Sequence, residues 1–315
     1  MSTAPDVSVI IPTYNRLWSL PRAVDSCRGT RCSTQIIVID DGSTDGTWEW
    51  LQSQPDLIAL RQDNQGQTWA VNNAFRSAQG RYIRFLDSDD FLSPGTIDLQ
   101  FERAQETGAQ LVYGRVDDFY QDSGRISQNP ETPEWDDFIA VVLGEGYGSH
   151  YLGMLFAREL FATVPPRRPD FALRDDRLFL HEIALLHPRI AATPGCAGYW
   201  VKHTAQMHTN YQGLQITLAA AQMLGIYRRT LNVLAKRGEL TPRRVRAAVP
   251  IIWQAAHALA HTHLSDAAEA AAWCAQLQPG FVPPDSGPVR LCFRLLGYRM
   301  THRILRLRRW ILRRS

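Results

Sequence analysis

The chain has 315 residues, an ordinary apolar fraction and nine Trp, enough for one large domain or two modest ones with a substantial core. No apolar run reaches the roughly 18 to 20 residues that a membrane-spanning helix needs, so an integral membrane protein is not expected. The net charge is +3, yet residues 290–315 contain nine Arg and no acid. The rest of the chain is therefore close to −6 and gives no reason to expect nucleic acid as a partner.

The cysteines and the first residues indicate a cytoplasmic protein. The five Cys are scattered, odd in number and without a C-x-x-C pair, which fits reduced thiols better than a disulfide framework or a zinc site. The first apolar run, residues 7–11, is short, has no basic flank and ends at Pro12, unlike the core of a signal peptide.

The first part of the chain alternates between short apolar strands and helices. Strands are predicted at residues 7–11, 35–39, 57–60 and 81–86, and helices at residues 17–27, from about residue 44, and at residues 68–78. This order is typical of βαβ units with a parallel sheet, in which ligands bind beyond the carboxyl ends of the strands. Thr13, Asp40 and Asp87 fall at such ends, so three segments would direct polar groups into one crevice.

The remainder of the chain has a looser order and then becomes mainly helical. Helices are predicted at residues 97–107, 135–143 and 178–186, and strands at residues 110–116, 148–156, 190–192 and 198–201. Residues 214–276 are rich in Ala and Leu and predict three or four helices. One of them should start at Thr241-Pro242, with Pro in the first helical position, and a linker follows at residues 280–288.

Asp87, Asp89 and Asp90 lie within four residues, directly after the fourth predicted strand. Carboxylates this close raise one another's pKa unless a cation lies among them. The turn is therefore either a solvated surface turn or a site for a hard divalent metal. The acids Asp40 and Asp41 after the second strand favour the metal site, because both groups would meet at one edge of the sheet.

Other ligand-binding patterns are missing from these loops. An EF-hand needs Gly at its sixth and Glu at its twelfth position, but a loop from Asp41 has Gln52 at the twelfth and a loop from Asp87 has Leu92 at the sixth. Residues 12–16 contain no glycine, so a Rossmann G-x-G-x-x-G fingerprint is absent, as is a Walker A sequence. A metal in the acidic turn is then the available means of holding phosphate.

Five short segments follow one another along about the first hundred residues. They are Pro12-Thr13-Tyr14-Asn15-Arg16, Val38-Ile39-Asp40-Asp41-Gly42-Ser43-Thr44-Asp45-Gly46-Thr47, Asn64-Gln65-Gly66, Gly80-Arg81-Tyr82-Ile83 and Leu86-Asp87-Ser88-Asp89-Asp90. Together they resemble the family 2 inverting glycosyltransferases of the GT-A fold, although each alone is a weak signal. The resemblance implies an α/β protein with a Rossmann-like, mostly parallel sheet, flanking helices and a C-terminal α-helical extension.

The resemblance also implies how a nucleotide-sugar donor is bound. Asp40 would bind the base, and Asp87 would reach the ribose or the metal shell. Asp89 would ligate Mg²⁺ or Mn²⁺ at the diphosphate, where a metal stabilises the charge that develops on the leaving group. Asp90 would be a structural acid. The candidate donor-binding residues are Pro12, Thr13, Tyr14, Asn15, Arg16, Asp40, Asp41, Asn64, Gly66, Asp87 and Ser88.

The chain departs from the family pattern at one point. The family often has Ala-Arg-Asn after the Asn-x-Gly segment, whereas this chain has Ala70-Val71-Asn72. An arginine that would contact the donor is therefore missing, and Arg61 and Arg81 are the candidates to replace it.

Residues 173–180 resemble the family segment that carries the general base, an acid just before a helix. The spacing to Leu178 and Leu180 favours Asp175 as the base that deprotonates the acceptor hydroxyl, with Asp176 as the rival. Alternatively, both acids offset the dipole at a helix N-terminus, a role that is compatible with the first.

Three further side chains are ambiguous. His203 ends a segment that resembles the family's aromatic-Arg-x-His pattern, with Lys202 in place of Arg, and is a candidate neighbour of the diphosphate or ligand of the metal. The alternative for His203 is a structural or surface role. Trp69 and Trp135 can stack on a sugar or a base, but core packing is expected for each.

The basic tail has a helical apolar stripe. Phe293, Leu296, Met300, Ile304, Leu307 and Ile311 recur at spacings of three and four, and Arg residues flank them. This pattern is typical of a helix that lies on an anionic membrane surface. The alternatives are a helix packed on the protein with a basic outer face and, more remotely, a nucleic acid contact.

We therefore expect a metal-dependent inverting glycosyltransferase at the inner face of the cell membrane. It would move a sugar from an NDP-sugar to a glycan or lipid-linked acceptor in cell-surface polysaccharide or lipopolysaccharide synthesis. Residues 1–105 would bind the donor and residues 106–210 the acceptor, followed by a helical extension, 211–285, and a basic amphipathic tail, 286–315. The alternatives are a polyprenyl-phosphate glycosyltransferase, whose phosphate acceptor needs no strong base, and a nucleotide- or glycan-binding protein without turnover.

Overall fold

The computed structural model describes residues 4–146, 150–204, 206, 213–285 and 287–312, with side chains as far as residue 307. The chain separates into two compact units. The α/β unit comprises Met1–Asp136 and Tyr147–Gln206, and the helical unit comprises Asp137–Gly146 and Met207–Ser315. The segment 137–146 thus belongs to the helical unit, whereas the boundaries expected at residues 210 and 286 lie outside the described residues.

One mixed sheet forms the centre of the α/β unit. Its strands are β1 (Val7–Thr13), β2 (Thr34–Asp40), β3 (Ile58–Arg61), β4 (Tyr82–Phe85), β5 (Phe91–Leu92), β6 (Leu111–Tyr120), β7 (Arg125–Ser127), β8 (Met154–Ala157) and β9 (Ile190–Lys202). Within the described ranges their order is β3-β2-β1-β4-β8-β6-β9-β5, and β7 pairs with β6. The first four strands are parallel neighbours, whereas β8 is antiparallel to both β4 and β6. The predicted α/β class is confirmed.

Helices flank this sheet and make up most of the second unit. The α/β unit contains α1 (Leu20–Asp25), α2 (Thr47–Gln52), α3 (Gln67–Phe75), α4 (Thr96–Thr107) and α6 (Asp175–Ala184), with 3₁₀ turns at Tyr151–Gly153, Arg158–Ala162 and Pro169–Phe171. The helical unit contains α5 (Phe138–Val142), α7 (Leu214–Lys236), α8 (Pro242–Leu259), α9 (Leu264–Leu277) and α10 (Gly287–Leu312). None of the helices in the described ranges is long and apolar enough to cross a bilayer.

The strands predicted at residues 190–192 and 198–201 are one continuous strand, β9. The sequence between them contains Pro194 and Gly195, which normally break a strand. In the structure these residues form an irregularity, because the pairing with β6 shifts from Tyr113–Ala192 to Arg115–Cys196. A bulge therefore absorbs the extra residues without ending the strand.

The register of the buried parallel strands determines where the loops emerge. All seven residues of β1 are buried, as the long apolar runs of a doubly covered sheet require. Thr13 pairs with Asp40, and Ile10 pairs with Phe85. The Asp41 N–H donates to the Thr13 carbonyl at 2.8 Å, and the Leu86 N–H donates to the Ile10 carbonyl at 3.0 Å. The residues that follow β1, β2 and β4 therefore leave the sheet at the same edge.

Asp41 organises the loop that precedes α3. Its carboxylate is buried and accepts hydrogen bonds from the Gln62 side chain at 2.7 Å, the Gln65 N–H at 2.9 Å and the Gly66 N–H at 2.8 Å. Gly66 has φ 92°, a left-handed value that favours glycine. Asp41 thus fixes the point at which α3 begins.

Replacing Asp41 with Ala should destabilise the α/β unit, because two backbone donors and one amide lose a charged acceptor. We expect the free energy of unfolding to fall by about 2–3 kcal/mol, measured by urea denaturation. The matched control is Asp63→Ala, at an exposed position of the same loop. If Asp41→Ala and Asp63→Ala unfold at the same urea concentration, this organising role is wrong.

Candidate functional site

The loops after β1 and β2 are joined by side-chain hydrogen bonds. The Asn15 N–H donates to Ser43 Oγ at 2.8 Å, and the Thr44 N–H donates to Asn15 Oδ1 at 2.8 Å. Asn15 adopts φ 50°, which Asn tolerates better than most residues. Thr13 is buried at the end of β1, whereas Tyr14 is 48% exposed and therefore available to a ligand.

Asp40 is fully buried at the end of β2, and one of its carboxylate oxygens accepts no hydrogen bond within the described residues. Its Oδ1 accepts from the Ser43 N–H at 3.0 Å. Oδ2 lies 3.4 Å from Arg61 Nε and has no hydrogen-bond donor within the described part of the chain. A buried carboxylate oxygen without a donor is costly, so this atom is a candidate acceptor for an N–H group of a ligand. Arg61 also lies over the Trp48 ring, at 5.3 Å from its centroid.

The two arginines expected to replace the missing one differ in position. Arg61 lies at Asp40, as described above. Arg81 lies at the opposite, amino end of β4, where its N–H donates to the Pro5 carbonyl and its guanidinium to Gln105 at 3.2 Å. Arg81 is therefore excluded from this edge of the sheet by the direction of its strand.

The acidic turn after β4 brings three carboxylates together. Candidate ligand oxygens of Asp87, Asp89 and Asp90 lie within 4.8 Å of one another. Asp87 accepts from Gln67 Nε2 at 2.7 Å and from the Tyr151 hydroxyl. Burial, with a smaller contribution from Asp89, raises the pKa of Asp87 to about 6. Carboxylates this close repel one another when ionised, and a cation among them would relieve that repulsion.

Ser88 and Asp90 are the buried members of this turn. Burial, and then the charges of Asp87 and Asp89, raise the pKa of Asp90 well above its usual value. Its Oδ1 accepts from the Val201 N–H at 2.8 Å, which fastens the turn to β9. Asp90 thus makes the structural contact that its position in the turn predicts.

Asp89 is partly exposed, with 22% of its side chain accessible, and has two basic neighbours. His203 Nε2 lies 3.0 Å from Asp89 Oδ2, and Arg16 Nη2 lies 3.6 Å from the same oxygen. The His203 side chain is only 6% exposed, so it is not a surface histidine. Trp18 contacts the His203 ring edge-on, with centroids 5.0 Å apart. The structure therefore gathers Arg16, Asp89 and His203 from three separate segments.

Asp175 and Asp176 are the first two residues of α6, and the structure treats them differently. Asp175 Oδ2 accepts from the Thr68 hydroxyl at 2.8 Å and lies 3.5 Å from Arg167 Nε. Burial raises the pKa of Asp175. Burial also opposes ionisation of Asp176, but the combined effect of Arg177, Arg167, His150 and a backbone hydrogen bond outweighs it and lowers the pKa of Asp176. Asp175 is the stronger base of the two by this criterion.

Four residues at this site lie outside the sequence motifs described above. Gln67 and Thr68 open α3 and contact Asp87 and Asp175, respectively. Their position directly after the Asn-x-Gly segment was the available signal. Tyr151 lies in the 3₁₀ turn Tyr151–Gly153, where the sequence predicts a strand over residues 148–156, and Arg167 lies in an irregular segment before α6. No sequence pattern distinguishes either residue as part of a site.

The expectation of core packing is confirmed for Trp135 and wrong for Trp69. Trp135 is 8% exposed and stacks on Tyr113 with centroids 3.6 Å apart. Trp69 is 45% exposed, because α3 buries Ala70, Val71 and Ala74 instead. Trp69 thus presents an aromatic surface next to the two residues that contact Asp87 and Asp175.

Comparison with known proteins identifies the family. The sequence profile of glycosyl transferase family 2 matches residues 8–179, more than half of the chain. The succinoglycan biosynthesis protein ExoO of Rhizobium meliloti is 36% identical over 118 residues, which are 36% of this chain and 34% of ExoO. The chain thus spans about a third of that relative's length.

Solved structures share the fold at low sequence identity. S. aureus TarS 1–349, in complex with UDP-GlcNAc, has a TM-score of 0.56 and 16% identity, covering 96% of this chain and 92% of that one. The mannosyltransferase PcManGT of Pyrobaculum calidifontis, in complex with GDP-Man and Mn²⁺, has a TM-score of 0.50 and 19% identity, covering 97% and 88%. These likenesses confirm the GT-A fold, and with the profile match they show that the chain belongs to glycosyl transferase family 2.

Proposed function

We propose that the chain is an inverting, divalent-cation-dependent glycosyltransferase. It transfers a sugar from an NDP-sugar to a glycan or lipid-linked acceptor in cell-surface polysaccharide or lipopolysaccharide synthesis. The observation that supports this most directly is that Asp40, the Asp87–Asp89 turn and Asp175 lie around the end of one sheet and the start of α3. The name of ExoO supports the polysaccharide context, and the ligands of TarS and PcManGT support nucleotide-sugar donors.

The donor nucleotide would bind where the loops after β1 and β2 meet. Asp40 Oδ2, which lacks a hydrogen-bond donor within the described residues, is suited to accept one from an N–H of the base. Tyr14 follows Thr13, the pairing partner of Asp40, and offers an exposed ring, and Asp87 would lie toward the ribose. Asp41 contributes by holding the loop that contains Asn64 and Gly66.

The acidic turn fits a hard divalent cation. Its oxygen donors are close enough to share one ion, and the mutual repulsion of Asp87, Asp89 and Asp90 supports a cation among them. Asp89 would hold Mg²⁺ or Mn²⁺, with Asp87 beside it and His203 as a further candidate ligand. When bound, the cation neutralises negative charge on the departing diphosphate. Arg16 adds a fixed positive charge at the same place.

Asp175 would act as the general base. The acceptor hydroxyl oxygen attacks the anomeric carbon while its proton moves to a carboxylate oxygen of Asp175. The bond from the anomeric carbon to the diphosphate breaks on the opposite face, so the configuration inverts. Asp175 is held for this role by the Thr68 hydroxyl, which donates to Oδ2, and by the Asp176 N–H of its own helix, which donates to Oδ1.

Asp89→Asn should lose metal-dependent nucleotide binding, because the amide removes the charge that holds the cation. We expect UDP or GDP with Mn²⁺ to raise the Tm of the wild type, by an amount equivalent to about 2.7 kcal/mol at 100 times Kd. Most of that rise should disappear in Asp89→Asn and persist in Asp122→Asn, an exposed acid of the β6–β7 turn. A wild type that neither nucleotide stabilises would refute the donor assignment.

Asp175→Asn should reduce turnover by about 10²- to 10⁴-fold while leaving nucleotide binding intact, because only proton removal is lost. The rate is measured as donor consumption across a panel of NDP-sugars with Mn²⁺ and acceptor sugars. Asp176→Asn is the matched control and should cost less. Full activity of Asp175→Asn would remove Asp175 from this role and favour a phosphate acceptor, which needs no strong base.

The tail would hold the enzyme at an anionic membrane surface from the cytoplasmic side. Beyond a break at Gly297, Met300, Ile304 and Leu307 are 46%, 44% and 57% exposed on one face of α10. Thr301 and His302, on the opposite face, are buried. The tail therefore packs on its unit and also presents an outward apolar stripe flanked by Arg, which suits a bilayer with anionic lipid.

The apolar stripe differs from the sequence expectation at its start. Phe293 is 7% exposed and packs against Trp253, with centroids 5.3 Å apart, because the break at Gly297 separates its face from the outer one. Leu296, just before the break, is 47% exposed. Ile311 belongs to the residues whose side chains are not described.

Replacing Met300, Ile304 and Leu307 together with Ser should abolish co-sedimentation with vesicles that contain phosphatidylglycerol. The apolar area that enters the bilayer is lost, while the side chains that pack inward remain. Binding by the wild type should weaken with added salt or with neutral vesicles. The control replaces Leu99, Ile126 and Leu186, three exposed apolar residues of the α/β unit, with Ser. Equal sedimentation of both triple variants and the wild type would contradict the membrane role.

A further inference from the structure

Arg167 is a buried guanidinium in the irregular segment before α6. It is 2% exposed, and its Cζ lies 4.9 Å from the Phe85 ring, 5.1 Å from Tyr151 and 5.3 Å from Phe179. A charge among aromatic rings is retained only where nearby groups offset the loss of hydration. Negative charge close to Arg167 must therefore be part of the reason for its position.

That negative charge belongs to the candidate active site. Arg167 Nε lies 3.5 Å from Asp175 Oδ2. Burial raises the pKa of both Asp87 and Asp175, and Arg167 acts in the opposite direction on each. Arg167 also favours the ionised form of Asp176. One side chain thus offsets the charge of an acid at the donor end and of both acids at the start of α6.

The backbone of Arg167 is fastened to α3. Asn72 Nδ2 donates to the Arg167 carbonyl at 3.1 Å, and the Arg167 N–H donates to Asn72 Oδ1 at 3.1 Å. One turn earlier on the same helix, Thr68 donates to Asp175. Two residues one turn apart on α3 therefore fix the positions of both Arg167 and Asp175. The ion pair is thus held by hydrogen bonds to a helix and does not depend on the two charged side chains alone.

We propose that Arg167 is the positioning residue of the base, holding Asp175 ionised and directed toward Thr68. The role of Arg167 in catalysis rests on the proposed role of Asp175 as the base. Arg167 is too buried to contact a donor or an acceptor itself, so it acts through the carboxylate.

The charged neighbours of the pair define what a pH experiment can report. Asp175 responds to Arg167 and to Asp176 on its own helix. Asp176 responds in turn to Arg177, Arg167 and His150. Removing Arg167 raises the folded-state pKa of Asp175 further above its unfolded value. Stability relative to the wild type is then lost as the pH rises through that window, and is least affected at acidic pH.

The test is a double-mutant cycle in the full chain without nucleotide or metal. Tm is measured at pH 8 and pH 5.5 for the wild type, Arg167→Met, Asp175→Asn and the combined variant. Arg167→Met should lower Tm by roughly 5–15 °C at pH 8 and by less than half as much at pH 5.5. Adding Asp175→Asn should recover a large part of the loss at pH 8, because the uncompensated charge is gone. Arg167→Lys should show little pH-dependent loss, because it keeps the charge.

The matched control is Arg76→Met, an exposed arginine at the end of α3, which should change Tm little at either pH. If Arg167→Met fails to fold at pH 8, the combined variant and Arg167→Lys should still fold. An equal loss of Tm at both pH values, or no recovery in the combined variant, would overturn the proposal and leave Arg167 as a packing residue. The cycle uses no nucleotide, so its outcome is separate from that of the donor-binding experiment.

Discussion

Parallel strands that end side by side bring several carboxylates together, and these carboxylates repel one another. Much of the surrounding α/β unit supplies the groups that offset this repulsion. The register of β1, β2 and β4 brings the acids that follow β2 and β4 to one edge of the sheet, and α6 adds Asp175 and Asp176. Carboxylates gathered in a partly buried place cannot all ionise at their usual pKa. Each must have a hydrogen-bond donor, a fixed cation or a bound ion. The loops around this edge consist largely of such partners.

The hydrogen-bond donors and cations around this edge do not satisfy all the carboxylates equally. The Asp41 carboxylate accepts hydrogen bonds from backbone N–H groups of the loop before α3, and the Asp90 carboxylate accepts one from a backbone N–H of β9. Asp175 is shared between Thr68 and Arg167. By contrast, Asp40 keeps a buried oxygen without a donor, and Asp89 faces His203 and Arg16 at an accessible position. In the proposed function these two acids define the places of the nucleotide base and of the diphosphate.

Many of the acids at this edge could be predicted because each directly follows an apolar strand that is recognisable in the sequence. Asp40 and Asp87 follow apolar strands, and parallel strands place such residues together by geometry alone. The contacts of Tyr151 with Asp87 and of Arg167 with Asp175 could not be predicted, since Tyr151 lies in a 3₁₀ turn where the sequence predicts a strand, and Arg167 lies in an irregular segment. The continuity of β9 through Pro194 and Gly195 was missed for a related reason: a bulge depends on the partner strand, not on the local sequence. The Gly297 break likewise moved Phe293 from the outer stripe into a packed face.

The central claim is that the acidic turn after β4 holds a divalent cation against a nucleotide diphosphate. Crystals grown with UDP and MnCl₂, measured at the manganese absorption edge, test it most directly. We expect an anomalous peak about 2.1 Å from a carboxylate oxygen of Asp89 and in contact with the diphosphate. We also expect the uracil ring to lie against Asp40. Bound UDP with no manganese peak at this turn, or manganese held by other residues, would contradict it.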